Sequence, residues 1–142
     1  MRLQALLIAA GAFTLALGAV HVVLPALLDY RSVVFDRPAN WKPPRAFRLW
    51  LTRYVVTQRD RYGIIWVMNF AASYVLLSIG LVDLVAADWL RSDAGRGVAL
   101  WIAGWWVVRA GSQLWLGRRW GDWLIIAWFL ALAALHIAVW HG

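Results

Sequence analysis

The sequence has no cysteine, no glutamate and only one lysine, and each absence excludes a class of protein. Without cysteine the chain cannot form a disulfide, a thiolate metal site, an iron–sulfur cluster or a thiol nucleophile. All seven acidic residues are aspartates, which leaves few carboxylates for paired acid–base chemistry. Charged residues are 15% of the chain, whereas a soluble domain has about 25%. The composition therefore excludes a water-soluble globular domain.

Apolar side chains dominate what is present: 63% of the 142 residues are hydrophobic, and the mean hydropathy is +0.66. A transmembrane helix needs about 20 mostly apolar residues. The first apolar run is too long for a signal-peptide core, so we interpret it as a retained span. The sequence predicts an all-α integral membrane protein, with one membrane domain (1–142) folded as a four-helix bundle. The four predicted spans are about Leu3–Leu28, Gly63–Ala87, Gly97–Leu116 and Trp123–Trp140.

Basic residues are unevenly distributed over the connections between these spans. Eight of the fourteen lie in segment 29–62, two follow the third span, and three lie on the opposite side. Because short cytoplasmic connections are enriched in lysine and arginine, both termini are predicted to be periplasmic in a bacterial inner membrane. The net charge of +7 then indicates contact with anionic lipid rather than with nucleic acid.

The cytoplasmic segment 29–62 is predicted to contain an interfacial helix between spans 1 and 2. A helical reading of residues 45–59 gives one apolar face and one basic face, the pattern of a helix that lies on an anionic leaflet. A docking surface for another protein is the alternative. The residues predicted at the membrane surface are Arg45, Arg48, Trp50 and Arg53.

Four polar side chains from three spans are predicted at about one depth, in the inner half of the membrane: His21, Asn69, Arg109 and Gln113. An intramembrane arginine is unfavourable unless it is paired or reaches water, and no acidic residue is predicted at that depth. One interpretation is an inward-facing polar pocket for an anionic or carbonyl-bearing ligand. The other is that Arg109 extends to the inner headgroups and His21 bonds a carbonyl group.

The outer half of the membrane carries a different set of residues. Small residues allow close helix contacts in lipid, and the fourth span has a stripe of alanines. If this stripe faces the bundle interior, His136 faces outward. Asp83 is expected to be an ordinary residue of the outer boundary. The stripe consists of Ala127, Ala131, Ala134 and Ala138.

The run Ala131–Trp140 around His136 resembles the C-terminal half of a bacterial light-harvesting β polypeptide. In that family an apolar helix presents a histidine to bacteriochlorophyll magnesium at its periplasmic end, and a tryptophan follows four residues later. Leu132 stands here in place of the usual alanine, and those polypeptides have one span. The resemblance implies a contact of His136 with bacteriochlorophyll or haem.

Sequence motifs of hydrolases, phosphate-binding loops and zinc proteases are absent. Two functions remain. The first is a non-catalytic accessory subunit that packs against a larger respiratory or photosynthetic membrane complex. The second is a stand-alone binder of lipid or small molecules, a transporter or an enzyme that uses the polar pocket around Arg109. The first interpretation assigns pigment or partner contacts to His136, Trp140, Trp105 and Trp106.

Overall fold

The computed structural model describes residues 2–35, 47–49, 52–54, 57–116 and 120–141. This part of the chain is helical apart from one short pair of strands. The strands are β1 (Phe47–Leu49) and β2 (Thr52–Tyr54). The helices are α1 (Arg2–Leu27), α2 (Tyr30–Phe35), α3 (Gln58–Val85), α4 (Ala87–Leu90), α5 (Asp93–Leu116) and α6 (Trp120–His141).

Three of the described helices, α1, α3 and α6, are long and apolar enough to cross a membrane. They coincide with three of the four predicted spans. Helix α5 has 24 residues but does not meet the same criterion. Its sequence carries Arg96, Arg109 and Gln113, which lower the mean hydropathy. The fourth span stays a prediction.

The described part of the segment between α2 and α3 differs from the predicted interfacial helix. Phe47–Leu49 pairs with Thr52–Tyr54 in antiparallel register, and α3 begins only at Gln58. Aromatic and β-branched side chains such as Phe47, Thr52 and Tyr54 favour extended backbone. In this pairing Arg48 is opposite Arg53, whereas Arg45 and Trp50 lie outside the described residues.

Residues Met1–Ala16 and Leu77–Gly142 form one compact unit, in which α5 packs along α6. The buried residues of α5 recur every three or four positions, which is the period of one helix face. They are Gly95, Ala99, Ile102, Ala103, Trp106, Ala110 and Gln113.

The first part of α1 and the last part of α3 approach each other closely in this unit. A Cβ atom built on Gly11 would lie 2.8 Å from the carbonyl oxygen of Gly80, and one built on Gly80 would lie 2.7 Å from the nitrogen of Leu15. Only glycine allows two helix backbones to come this near, as in other close helix contacts of membrane proteins.

Residues Leu17–Leu76 form a second unit. The start of α3 in this unit is closed by a capping box. The amide of Thr57 donates to Asp60 Oδ2 at 2.8 Å, and the amide of Asp60 donates to Thr57 Oγ1 at 3.1 Å. These bonds satisfy backbone donors that a helix N-terminus otherwise leaves unpaired, so the helix has a defined start.

Candidate functional site

Helix α6 has the opposite orientation to the one predicted from its alanines. All four alanines of the stripe are exposed, and the buried face of α6 carries His136 instead. The prediction that His136 faces outward is therefore wrong. The reason is that His136 has a polar partner inside the unit, and an imidazole without one is unfavourable in lipid. The rest of this buried face consists of Phe129, Leu132, Ala133 and Val139.

The partner of His136 is Asp83, near the end of α3. His136 Nε2 lies 3.0 Å from Asp83 Oδ1, and both side chains are 0% exposed. His136 Nδ1 lies 2.8 Å from the carbonyl oxygen of Leu132. Both nitrogens of the imidazole ring are thus hydrogen-bonded, one within α6 and one to α3.

These contacts fix the number of protons that the pair holds. A carbonyl oxygen can only accept a hydrogen bond, so His136 Nδ1 must carry a hydrogen. The 3.0 Å contact needs a second hydrogen, either on Nε2 or on the Asp83 carboxyl group. The first case is an imidazolium beside a carboxylate, and the second is a neutral imidazole beside a carboxylic acid. In either case the pair has no net charge.

Asp83 lies near the end of α3, where the sequence places it, but its burial and its contact with His136 show that it is not an ordinary boundary residue. It is completely buried, and among the described residues its second oxygen, Oδ2, has no hydrogen-bond partner. The missed signal was its spacing. Asp83 is four residues from Ile79 and three from Gly80, and all three share the buried face of α3.

Two neighbouring features extend this buried region. Gly11 touches the aspartate, because a Cβ on Gly11 would lie 2.9 Å from Asp83 Cβ. One helical turn further along α1, Thr14 is 0% exposed, and its Oγ1 has no hydrogen-bond partner within the described ranges. Helices α1, α3 and α6 therefore all contribute buried polar side chains to this unit. Two of the polar atoms, Thr14 Oγ1 and Asp83 Oδ2, have no hydrogen-bond partner among the described residues.

Aromatic rings lie closer to the start of α6. Phe129 precedes His136 by seven residues, which is about 10 Å at 1.5 Å per residue. Trp106 stacks on Phe129 with ring centroids 5.2 Å apart, and Phe13 contacts Trp128 at 4.8 Å. Trp106 is 0% exposed, so its large ring belongs to the core of the unit.

The chain matches no protein family, no curated protein and no solved structure.

The residues predicted to contact a pigment or a partner differ widely in exposure. His136 and Trp106 are completely buried, Trp105 is half-buried, and Trp140 is 42% exposed. A magnesium or haem iron would need a free nitrogen of His136, and both are hydrogen-bonded. The buried pair therefore does not fit such a group. No group of three metal-binding side chains occurs among the described residues either.

Two members of the predicted inner pocket, Arg109 and Gln113, belong to the first unit. Arg109 Nη1 donates to Ser112 Oγ at 3.2 Å, and its guanidinium carbon lies 5.6 Å from the centroid of the Phe129 ring. Gln113 Nε2 donates to Asp122 Oδ1 at 3.1 Å, which joins α5 to α6. Gln113 thus has a carboxylate partner, whereas Arg109 has a hydroxyl group and an aromatic ring.

The other two members, His21 and Asn69, belong to the second unit. Asn69 is buried, and its Nδ2 donates to the backbone carbonyl oxygen of His21 at 2.8 Å. Ser73 Oγ donates to the carbonyl oxygen of Asn69 at 2.8 Å. These bonds connect α1 to α3 through an amide side chain and a backbone group.

Proposed function

We propose that the chain is a four-span protein of the bacterial inner membrane, with both termini periplasmic, that binds an anionic amphiphile at Arg109. The observation that carries this proposal is the uncompensated charge of Arg109. Among the described residues no carboxylate lies within ion-pair distance of it, and its Nε has no hydrogen-bond partner. An arginine in an apolar helix favours an anionic partner because its charge is otherwise unfavourable there.

The position of α5 supports a fourth span. It packs along α6, and only three residues separate the two helices, so they run as antiparallel neighbours. At 1.5 Å per residue its 24 residues extend about 36 Å, enough for a hydrocarbon core of about 30 Å. Arg109 then lies seven residues, about 10 Å, before the cytoplasmic end of α5.

This depth suits the phosphate of an inner-leaflet lipid. Guanidinium groups bind phosphate through several N–H donors held in a fixed plane. The Ser112 hydroxyl group and the Phe129 ring hold the side chain of Arg109 in place. A phosphate headgroup or a free phosphate ester would bind by the same chemistry.

The accessory-subunit function is a second candidate, and Trp140 is the observation that favours it. Its large ring is 42% exposed near the end of α6, whereas the burial of His136 and Trp106 removes them as contact residues. The accessory-subunit candidate therefore places the interface with the larger complex at Trp140.

One experiment tests both candidates. The protein is extracted in mild detergent, separated by size exclusion and analysed by native mass spectrometry with added phosphatidylglycerol or phosphatidylcholine. We expect retention of phosphatidylglycerol by the wild-type chain, and at least a tenfold loss in Arg109→Leu, because the anion loses its only cationic partner among the described groups. Arg91→Leu is the control, since Arg91 is exposed, lies two residues before the other end of α5 and pairs with Asp88 at 3.8 Å.

Equal retention of both lipids, or unchanged binding in Arg109→Leu, would contradict binding at Arg109. Inorganic phosphate that displaces the lipid would identify a free phosphate ester as the ligand. Co-migration with a larger complex that Trp140→Ala disrupts would instead support the accessory subunit.

A further inference from the structure

The Asp83–His136 pair has chemistry that binding at Arg109 does not use. It holds two hydrogens and no net charge, and it lies completely buried between α3 and α6. Asp83 Oδ2 and Thr14 Oγ1 have no hydrogen-bond partner within the described ranges. A buried carboxyl oxygen without a donor is unfavourable, so this oxygen is an acceptor available to a ligand.

Loss of one proton leaves one hydrogen on the imidazole ring and a carboxylate on Asp83. The remaining hydrogen can lie on Nδ1, which keeps the contact with the carbonyl oxygen of Leu132, or on Nε2, which keeps the 3.0 Å contact with Asp83. The deprotonated pair therefore keeps only one of the two hydrogen bonds of the imidazole and has a net negative charge.

The deprotonated pair carries its negative charge on Asp83. An uncompensated carboxylate is strongly unfavourable in an apolar environment, so a positive charge must replace the proton. The buried faces of α3 and α6 that carry the pair also carry apolar residues, among them Ile79, Leu132 and Val139. A cation with apolar substituents therefore suits this site better than a hydrated metal ion.

We propose that Asp83 is a binding site for a lipophilic organic monocation, taken up in exchange for the proton that Asp83 shares with His136. One proton leaves the pair, the imidazole keeps one hydrogen, and the carboxylate of Asp83 pairs with the incoming cation. The net charge of the site is zero before and after the exchange.

The other ionisable groups near the outer end of this unit do not substitute for Asp83. Asp88 and Asp93 are exposed and pair with Arg91 and Arg96 at 3.8 Å and 3.5 Å. His141 is exposed at the end of α6. The only ionisable side chain that α1 contributes to this unit is Arg2, which is exposed. Asp83 is the one buried acid among the described residues of the unit.

Tetraphenylphosphonium is the probe for this site, used with the purified full chain in detergent. Calorimetry measures its binding, and a pH dye in weak buffer measures the release of protons. We expect about one proton released per bound cation, and therefore about tenfold tighter binding for each unit of rising pH.

Asp83→Asn should abolish both binding and proton release, because the amide cannot ionise. This variant keeps the shape of the side chain, and its Nδ2–H can donate to His136 Nε2, so the contact is retained. Asp93→Asn is the matched control at a fully exposed aspartate of α5 and should behave like the wild type.

Absence of binding by the wild type, binding without proton release, or unchanged binding in Asp83→Asn would each overturn the proposal. If Asp83→Asn does not fold, the proton count and the pH slope of the wild type decide the question alone. The site at Arg109 is tested with anionic lipid, so the two proposals can fail separately.

Discussion

His136 is held at both ring nitrogens, so its removal affects two helices at once. His136→Ala would leave Asp83 without its only hydrogen-bond partner among the described residues. Removal of one member of a buried pair destabilises a protein by about 3–5 kcal/mol. We expect a loss of that size in the free energy of unfolding, measured by circular dichroism in detergent.

His141→Ala is the control for this measurement, because His141 is an exposed histidine of the same helix. The double variant Asp83→Ala with His136→Ala should lose less than the sum of the two single variants, since the two residues interact directly. Strict additivity of the two effects would show that the 3.0 Å contact contributes nothing to stability.

Sequence patterns predicted the polar residues themselves but not the partner of His136. An imidazole in a predicted span is a candidate functional group whichever way it faces, so the sequence alone marks His136 as such a candidate. Its connection to Asp83 depends on α3 and α6 meeting 53 residues apart in sequence. The spacing within α3 places Asp83 on a buried face, but no local spacing identifies His136 as its partner.

The contact between α1 and α3 is a close backbone approach within the first unit, and one added methyl group tests it. Gly80→Ala would place a Cβ 2.7 Å from the nitrogen of Leu15 and 2.9 Å from the carbonyl oxygen of Gly11. Both are backbone atoms that cannot move aside alone. We expect a loss of about 1–3 kcal/mol in stability, as for other overpacked cores.

Gly104→Ala is the matched control on α5, because a Cβ there has nothing within 4 Å. This variant should unfold at the wild-type temperature or above it, since alanine favours helix more than glycine does. Equal losses in Gly80→Ala and Gly104→Ala would show that helix propensity, not the contact of α1 with α3, is being measured.

The helices could be located from the sequence, whereas their orientations could not. Long apolar runs predicted α1, α3 and α6 because length and composition suffice for that inference. In a membrane helix both the lipid-facing side and the buried side are apolar, so hydrophobic periodicity does not show which side is buried. The alanine stripe of α6 illustrates this, because small residues predict a buried side there and the stripe is exposed.

For the whole molecule, the number of spans decides where every connection lies. We expect α5 to cross the membrane, which places its first residue on the periplasmic side and the start of α6 in the cytoplasm. The chain has no cysteine, so single cysteines can be labelled without background. Asp93→Cys and Gly121→Cys, both at exposed positions, mark the two sides.

A membrane-impermeant maleimide should label Asp93→Cys in intact spheroplasts, and Gly121→Cys only after permeabilisation. Labelling of both cysteines from the same side would mean that α5 does not cross. The three more apolar helices would then require termini on opposite sides of the membrane.

The hydrogen bond from Gln113 to Asp122 has a consequence for how the chain enters the bilayer during synthesis. Helix α5 carries two arginines and a glutamine that oppose its partition into lipid as a separate segment. Asp122 accepts the hydrogen bond of Gln113. Helix α6 can pack against α5 only after α6 has left the ribosome. The translocon would therefore hold α5 until α6 follows, and release the two helices into the membrane together as a hairpin.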